Sequence, residues 1–121
     1  MRDDALYKLK YLTDAEKTAI RIFEADIRHK LSRDIILLEV FGSKVRGDYK
    51  PESDIDVLVL VKKITTQVME KIAAVSSDIS IEQGVLISAV VLSEREYNKN
   101  RDSNTLFVQE INRDGIVLYA A

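Results

Sequence analysis

Two apolar runs separated by a glycine-containing turn constrain the fold of this chain more than any other feature. The first run, Ile35-Ile-Leu-Leu-Glu-Val-Phe41, is rich in β-branched and bulky residues and ends at Gly42. The second run begins at Asp54-Ile55-Asp56 and continues to Val61. Both runs have the length and composition of buried β-strands, and Gly42 permits a tight turn that a Cβ would obstruct. We therefore expect two buried strands joined by a polar turn.

Two aspartates stand at the start of the second run. Residues i and i+2 of a strand lie on the same face, so Asp54 and Asp56 should project side by side while Ile55 packs behind them. Adjacent carboxylates repel each other unless a cation lies between them. Because a ligand set made only of oxygens favours Mg²⁺ over softer metals, the pattern predicts a magnesium site formed by Asp54 and Asp56.

The turn between the runs carries a serine and two basic residues. We expect a short helix from Ser43 to Arg46, which would place Ser43 at a helix N-terminus. Free backbone N–H groups and the helix dipole favour an anion such as a phosphate at that position. Gly47-Asp48 and Lys50-Pro51-Glu52-Ser53 should then form the loop that returns the chain to Asp54.

Helix signals precede and follow these strands. Thr13, with Glu16 three residues later, has the form of a capping box, and apolar residues recur after it at three- and four-residue spacing. This pattern predicts an amphipathic helix, and a second helix should start after Thr65 or Thr66. His29, the only histidine, falls on the first of these helices and is assigned no catalytic role.

The C-terminal half predicts one more long strand and two helices. Val85–Leu92 is apolar at nearly every position, so we expect a strand in the centre of the sheet. Ser93 and Glu96 form a second candidate capping box for a short helix, followed by a polar loop over residues 98–103. The remaining elements are a last helix, ended by Asp114-Gly115, and a short strand, Ile116–Tyr119.

Size and composition set the broad class. A chain of 121 residues is the length of one domain, so residues 1–121 are expected to form a single α+β domain, with a small mixed sheet and helices mainly on one side. The net charge of -2 argues against direct nucleic-acid binding. The absence of cysteine excludes disulfides and thiolate metal sites. The charged N-terminus and the lack of a spanning apolar run predict a cytoplasmic protein with no membrane association.

The combined motif carries a family resemblance. Gly42-Ser43, ten residues and then Asp54-Ile55-Asp56, in a strand–turn–helix–strand context, resembles the signature of the polymerase-β-like nucleotidyltransferase superfamily. More narrowly, the segments 41–47 and 53–56 resemble the minimal nucleotidyltransferases, which often accompany a HEPN-domain toxin. The C-terminal segment from Phe107 to Tyr119 is also similar to such proteins, so the resemblance covers nearly the whole chain.

This resemblance implies a nucleotidyltransferase fold, an activity and a set of site residues. Gly42 and Ser43 would hold the triphosphate of ATP, and Arg46 would either reach a phosphate or brace the loop. Asp54 and Asp56 would be the catalytic aspartates that coordinate Mg²⁺. The implied reaction is transfer of AMP from ATP to a hydroxyl, a tyrosine of a partner HEPN toxin, which would make the chain an antitoxin.

One position departs from the superfamily pattern. Most members carry a third carboxylate on a neighbouring strand, whereas Val85–Leu92 contains no acid and has Ser88 in the corresponding region. The alternative function is therefore a catalytically weakened binding module that neutralises its partner by complex formation. A small-molecule transferase is a third reading, although such relatives usually have an additional domain for the acceptor. The sequence is compatible with an oligomer but does not define one.

Overall fold

The computed structural model describes residues 3–48, 50 and 53–121. Pro51 and Glu52 of the predicted loop, and Met1 and Arg2 of the charged N-terminus, lie outside the described residues. The strands are β1 (Ile35–Phe41), β2 (Ile55–Val61), β3 (Ile87–Ser93) and β4 (Ile116–Ala120). The helices are α1 (Asp3–Lys8), α2 (Asp14–Leu31), α3 (Ser43–Arg46), α4 (Thr66–Gln83), α5 (Glu94–Asp102) and α6 (Leu106–Asp114), with a 3₁₀ turn at Ser32–Asp34.

The strands form one mixed sheet in the order β3-β2-β1-β4. Strand β1 is antiparallel to β2 and β4, and β3 is parallel to β2. This arrangement confirms the predicted α+β class. The expectation that the third strand is central was wrong, because β3 lies at an edge of the sheet. Its side chains are apolar because α4 and α5 pack against it. A strand whose faces are covered by helices needs apolar side chains even when it has a neighbouring strand on only one side.

The two faces of the sheet carry different helical layers. The long helices α2 and α4 pack against each other and over a large apolar core on one face. Strand β2 contributes alternate residues to it, including the fully buried Ile55 and Val57. The shorter helices α5 and α6 cover the other face, where Leu58 and Phe41 form a smaller cluster. Phe41 meets Phe107 of α6 edge-to-face, with ring centroids 5.5 Å apart.

Helix caps explain where several of these helices begin. Both predicted capping boxes form: Thr13 and Ser93 each accept a hydrogen bond from the backbone of the glutamate three residues later, which binds back to the cap amide. The predicted polar loop over residues 98–103 was wrong, because α5 continues to Asp102. Its second half has no apolar stripe, so periodicity could not indicate a helix there. Among the described helices, none is long and apolar enough to cross a membrane.

Candidate active site

The site is built where the end of β1 meets the start of β2. Phe41 and Asp56 are register partners in the antiparallel pair, so Gly42 follows directly beside Asp56. Gly42 has φ 88° and ψ -164°, a backbone conformation essentially restricted to glycine. A Cβ at this position would lie 2.5 Å from Oδ2 of Asp56. The glycine is therefore required both by the backbone angle and by the close approach of the aspartate.

The glycine turn closes as the short helix α3. The amides of Val45 and Arg46 donate to the Gly42 carbonyl, with N···O distances of 3.1 and 3.2 Å. Ser43, half-buried, is the first residue of this turn, as the sequence predicted. Gly47 ends α3 in the left-handed conformation, with φ 83°. Ser43 is thus presented at the same end of the sheet as the two aspartates.

Asp54 and Asp56 differ in their surroundings. Asp54 is exposed just before β2, whereas Asp56 is half-buried within the strand. Burial raises the pKa of Asp56, and the nearby charges of Glu110 and Asp54 raise it further, while Arg46 opposes them. The repulsion between these carboxylates means that a cation at this position would be stabilised by the protein.

Arg46 is bound to acidic side chains in this structure. Its guanidinium contacts Asp48 at 3.1 Å, Asp114 at 2.8 Å and Glu110 at 3.3 Å. The hydrogen bonds to Asp114 and Asp48 raise the pKa of Arg46. Of the two roles that the sequence left open, this geometry corresponds to bracing, because Arg46 ties the glycine turn to the end of α6.

Lys44, the other basic residue of the turn, contacts a different element. Its side chain is buried, and its Nζ donates to Oε2 of Glu16 at 2.6 Å. Burial tends to raise the pKa of Glu16, but the hydrogen bonds from Lys44 and Thr13 outweigh it, so the pKa is lowered. Lys44 therefore anchors the turn to the first turn of α2.

The strand register locates the position of the missing third carboxylate. Ser88 of β3 is the direct partner of Asp56, so β3 places a hydroxyl on the strand beside the aspartate. Within the part of the chain that the structure describes, no cluster of three or more acidic, histidine or cysteine side chains could hold a metal ion. The acidic groups that sequence reasoning missed are Glu110 and Asp114 of α6. Their four-residue spacing, which puts both on one helix face, was the available signal.

Glu39 is a further acid that the sequence reasoning did not single out. It lies on β1 between Leu58 and Val117, its partners on the two neighbouring strands, and is 8% exposed. A Cβ on Gly115 would overlap its carboxylate, so the glycine provides the space that Glu39 occupies. Burial raises the pKa of Glu39 to about 7.

The donor set of the site fits a magnesium ion. Mg²⁺ is commonly held by one or two carboxylates together with substrate phosphates and water. Asp54 and Asp56 supply two carboxylates, and the repulsion at Asp56 favours a cation there. The acidic neighbour Glu110 adds negative charge that a metal complex of a triphosphate would offset.

This combination of a glycine turn, a serine and paired aspartates on an α+β frame defines a nucleotidyltransferase. The family model for the nucleotidyltransferase domain matches residues 20–114, and the chain belongs to that family. The resemblance to the nucleotidyltransferase superfamily is confirmed, and so is the prediction that the chain is an enzyme of nucleotidyl transfer.

Individual relatives agree with this assignment. The chain is 36% identical over 98 residues to a protein of Methanocaldococcus jannaschii named as a candidate protein adenylyltransferase, covering 80% of this chain and 92% of that protein. The fold is similar to spectinomycin adenyltransferase AAD(9) of Enterococcus faecialis, with TM-score 0.60 and 18% identity over 85% of this chain, which spans only 55% of that enzyme. A mutant of the toxin–antitoxin complex MntA-HpeT is also similar, with TM-score 0.57, 17% identity and coverage of 90% of this chain and 75% of that one.

Proposed function

We propose that this nucleotidyltransferase transfers AMP from ATP to a hydroxyl group of a partner protein. The observation that carries the proposal is the packing of Gly42 against Oδ2 of Asp56, which brings the phosphate-binding turn and a metal-binding carboxylate together. The name of the Methanocaldococcus jannaschii relative supports a protein as the acceptor. AAD(9) was crystallised with ATP, which supports ATP as the donor.

Each site residue has a role in this proposal. The backbone of Gly42 and the hydroxyl and amide of Ser43 hold the triphosphate. Asp54 and Asp56 would hold Mg²⁺. The bound ion would neutralise negative charge on the phosphates. Arg46 holds α3 in place through α6, and a bound phosphate would compete with Glu110 and Asp114 for its guanidinium.

The transfer is a displacement at the α-phosphorus. The acceptor oxygen forms a new P–O bond, the bond between the α-phosphorus and the bridging oxygen of pyrophosphate breaks, and pyrophosphate leaves. The hydroxyl proton must pass to a base. Ser88 cannot supply the carboxylate that relatives place beside Asp56, and Glu110 is the additional acid whose charge reaches Asp56.

We propose a tyrosine of a HEPN-domain toxin as the acceptor, with this chain as the antitoxin in the cytoplasm. The support is the resemblance of the motif to antitoxins of that kind and the fold likeness to the MntA-HpeT complex.

The test is incubation with labelled ATP, Mg²⁺ and the product of the neighbouring gene. The expected result is label on a tyrosine of the partner, identified by mass spectrometry, and none with the Asp54→Asn/Asp56→Asn variant. Absence of label with the wild-type chain would contradict the protein acceptor. Label on a spectinomycin-type aminoglycoside acceptor instead would favour a small-molecule transferase.

A second candidate function is supported by Ser88. Because β3 offers no acid beside Asp56, the same fold could neutralise a partner by binding alone. The discriminating measurement is protection of cells from the toxin by the Asp54→Asn/Asp56→Asn variant. Full protection with an intact complex favours binding, and loss of protection with an intact complex rejects it.

A further inference from the structure

A cavity of about 850 Å³ lies at the end of the sheet opposite the candidate active site. It is lined by five parts of the chain: the second half of α2, the 3₁₀ turn, the start of β1, the residue after β2 and the end of β4. Since the active site lies at the end of β1 and the start of β2, the length of the strands separates the two. Seven residues of strand span about 23 Å.

One arginine in this cavity is held rigidly. Arg28 donates to Oε1 of Glu24 at 3.0 Å, and its guanidinium lies 4.2 Å from the centroid of the Tyr119 ring. Glu24 is 2% exposed, so its carboxylate is a fixed anchor and not a mobile surface group. An arginine has five N–H donors in a planar fork, and only one of the nitrogens of Arg28 is directed at Glu24. The guanidinium is therefore oriented before any ligand arrives.

Two further cations line the same cavity. Arg33 of the 3₁₀ turn and Lys62, just after β2, are exposed, and neither side chain forms an ion pair with any residue that the structure describes. His29 is a third potential donor in the lining. Among the lining residues that the structure describes, Glu24 carries the only acidic side chain, and it is paired with Arg28. Arg28, Arg33 and Lys62 together outnumber Glu24 and the α-carboxylate of Ala121, so the described lining has a positive excess on a chain whose net charge is negative.

We propose that this cavity binds a small phosphorylated molecule of about nucleotide size. A planar guanidinium matches the geometry of a phosphate and binds it through two parallel hydrogen bonds. Arg33 and Lys62 approach from other elements and add charge around the same volume. This site is independent of the proposed transfer reaction, because it shares no residue with the glycine turn or the aspartates.

The shape favours a small phosphate ester over an acidic protein segment. The volume lies within the range of pockets for small molecules and cofactors. A segment of an acidic partner would need an extended basic surface, whereas these cations line one concavity formed by five parts of the chain. Binding of an acidic peptide in place of a phosphate is therefore one of the outcomes that the test must detect.

The test is a titration of the chain with inorganic pyrophosphate in the presence of EDTA. Binding is measured by isothermal titration calorimetry and by chemical-shift changes in NMR spectra. Without divalent metal, the carboxylates Asp54, Asp56 and Glu110 at the acidic end of the sheet repel an anion. We expect saturable binding that weakens with added salt and is unchanged in the Asp54→Asn/Asp56→Asn variant. Absence of saturable binding would overturn the proposal, as would loss of binding in that variant.

Matched variants locate the binding. Arg33→Gln/Lys62→Gln removes two exposed cations of the cavity and leaves the ion pair between Arg28 and the buried Glu24 intact, so the fold should be retained. Arg21→Gln/Lys63→Gln removes two exposed cations outside the cavity. We expect roughly tenfold weaker binding for the first pair and less than a twofold change for the second. Equal losses in the two pairs would mean that pyrophosphate is attracted non-specifically. Cavity-dependent binding of poly-glutamate that is tighter than binding of pyrophosphate would assign the site to an acidic protein segment. Either result overturns the phosphate proposal.

Discussion

The two ends of the central β1–β2 pair carry opposite charge. Where β1 ends and β2 begins, acidic side chains outnumber the two arginines, Arg46 and Arg113, that bind some of them; the acids are Asp48, Asp54, Asp56, Glu110 and Asp114. Where β1 begins and β2 ends, Arg28, Arg33 and Lys62 surround a cavity with a single buried acid, Glu24. One end is suited to a cation and the other to an anion.

This difference shows how little the net charge says about binding. A value of -2 for the whole chain conceals local excesses of opposite sign at these two ends. In the antiparallel β1–β2 pair, the start of one strand lies beside the end of the other. Each end of the pair therefore brings together loop residues from distant parts of the sequence. The fold therefore places acidic and basic side chains at opposite ends of the strand pair, and the amino-acid composition does not reveal this separation.

The largest effect should come from removing both aspartates of the acidic end. In Asp54→Asn/Asp56→Asn we expect AMP transfer to fall on the order of 10³-fold, because the two carboxylates proposed to hold Mg²⁺ are lost. The measurement is labelled AMP incorporated per minute at saturating ATP. Glu70→Gln/Glu82→Gln, with the same charge change on the exposed surface of α4, serves as the control and should retain activity. Equal losses in the two variants would refute a specific role for this end.

Next in size is the effect of Glu39, the buried acid on the α6 side of the sheet. Its pKa is raised from the ordinary 4.5 to about 7, so the folded state binds more protons than the unfolded state between these values. The free energy of unfolding should therefore fall as the pH rises through this window and level off above about pH 7, by a total of about 3 kcal/mol. Urea denaturation of the wild type and of Glu39→Gln from pH 4 to 8 measures it. If the difference between the two proteins did not change with pH, this interpretation would be wrong.

An effect of similar size is expected when the contact between the turn and Asp56 is disturbed. Gly42→Ala should lower the free energy of unfolding by about 2–4 kcal/mol, since its Cβ would meet Oδ2 of Asp56 at 2.5 Å on a backbone that excludes other residues. Gly84→Ala is the matched control, because Gly84 also has a positive φ but nothing within 4 Å of the added Cβ. It should lose only about 1–2 kcal/mol. Thermal and urea unfolding compare the two, and equal losses would mean that backbone angle alone determines the effect.

The smallest effect concerns the repulsion among the acids. Glu110→Gln removes one of the charges that raise the pKa of Asp56, so the acidic limb of the pH–activity profile should move to lower pH. If Glu110 also accepts the hydroxyl proton, the maximal rate should fall as well. Asp78→Asn, on the exposed face of α4, is the control for a general charge effect. A profile identical to the wild type would exclude any influence of Glu110 on the site.

Local sequence patterns predicted much of this fold. Alternation along β2 placed Ile55 and Val57 in one core and Leu58 on the other face, because burial of one strand face fixes its parity. The capping boxes at Thr13 and Ser93 were predictable because each is completed within four residues. The pairing of the glycine turn with Asp56 followed from the short connection between two apolar strands.

What escaped prediction depends on contacts between distant residues. The bond from Arg46 to Asp114 spans 68 positions, and the bond from Lys44 to Glu16 spans 28, so no local pattern indicates them. The edge position of β3 was missed because apolarity reports which faces are covered and not which edges are paired. Similarly, the cavity beside Arg28 is formed by segments that only the sheet brings together.

The carboxylate of Glu16 links two events that would otherwise be separate. Its Oε1 accepts from the Thr13 amide at 2.9 Å, and its Oε2 accepts from Lys44 at 2.6 Å. One side chain thus closes the first turn of α2 and also holds α3. Local unfolding of the helix start would therefore remove the Lys44 anchor of the glycine turn and leave only the Arg46 contacts to α6, so the amides of the turn should lose protection when the helix start opens. The conformation of the glycine turn thus depends partly on α2, a helix that contributes no residue to the proposed reaction.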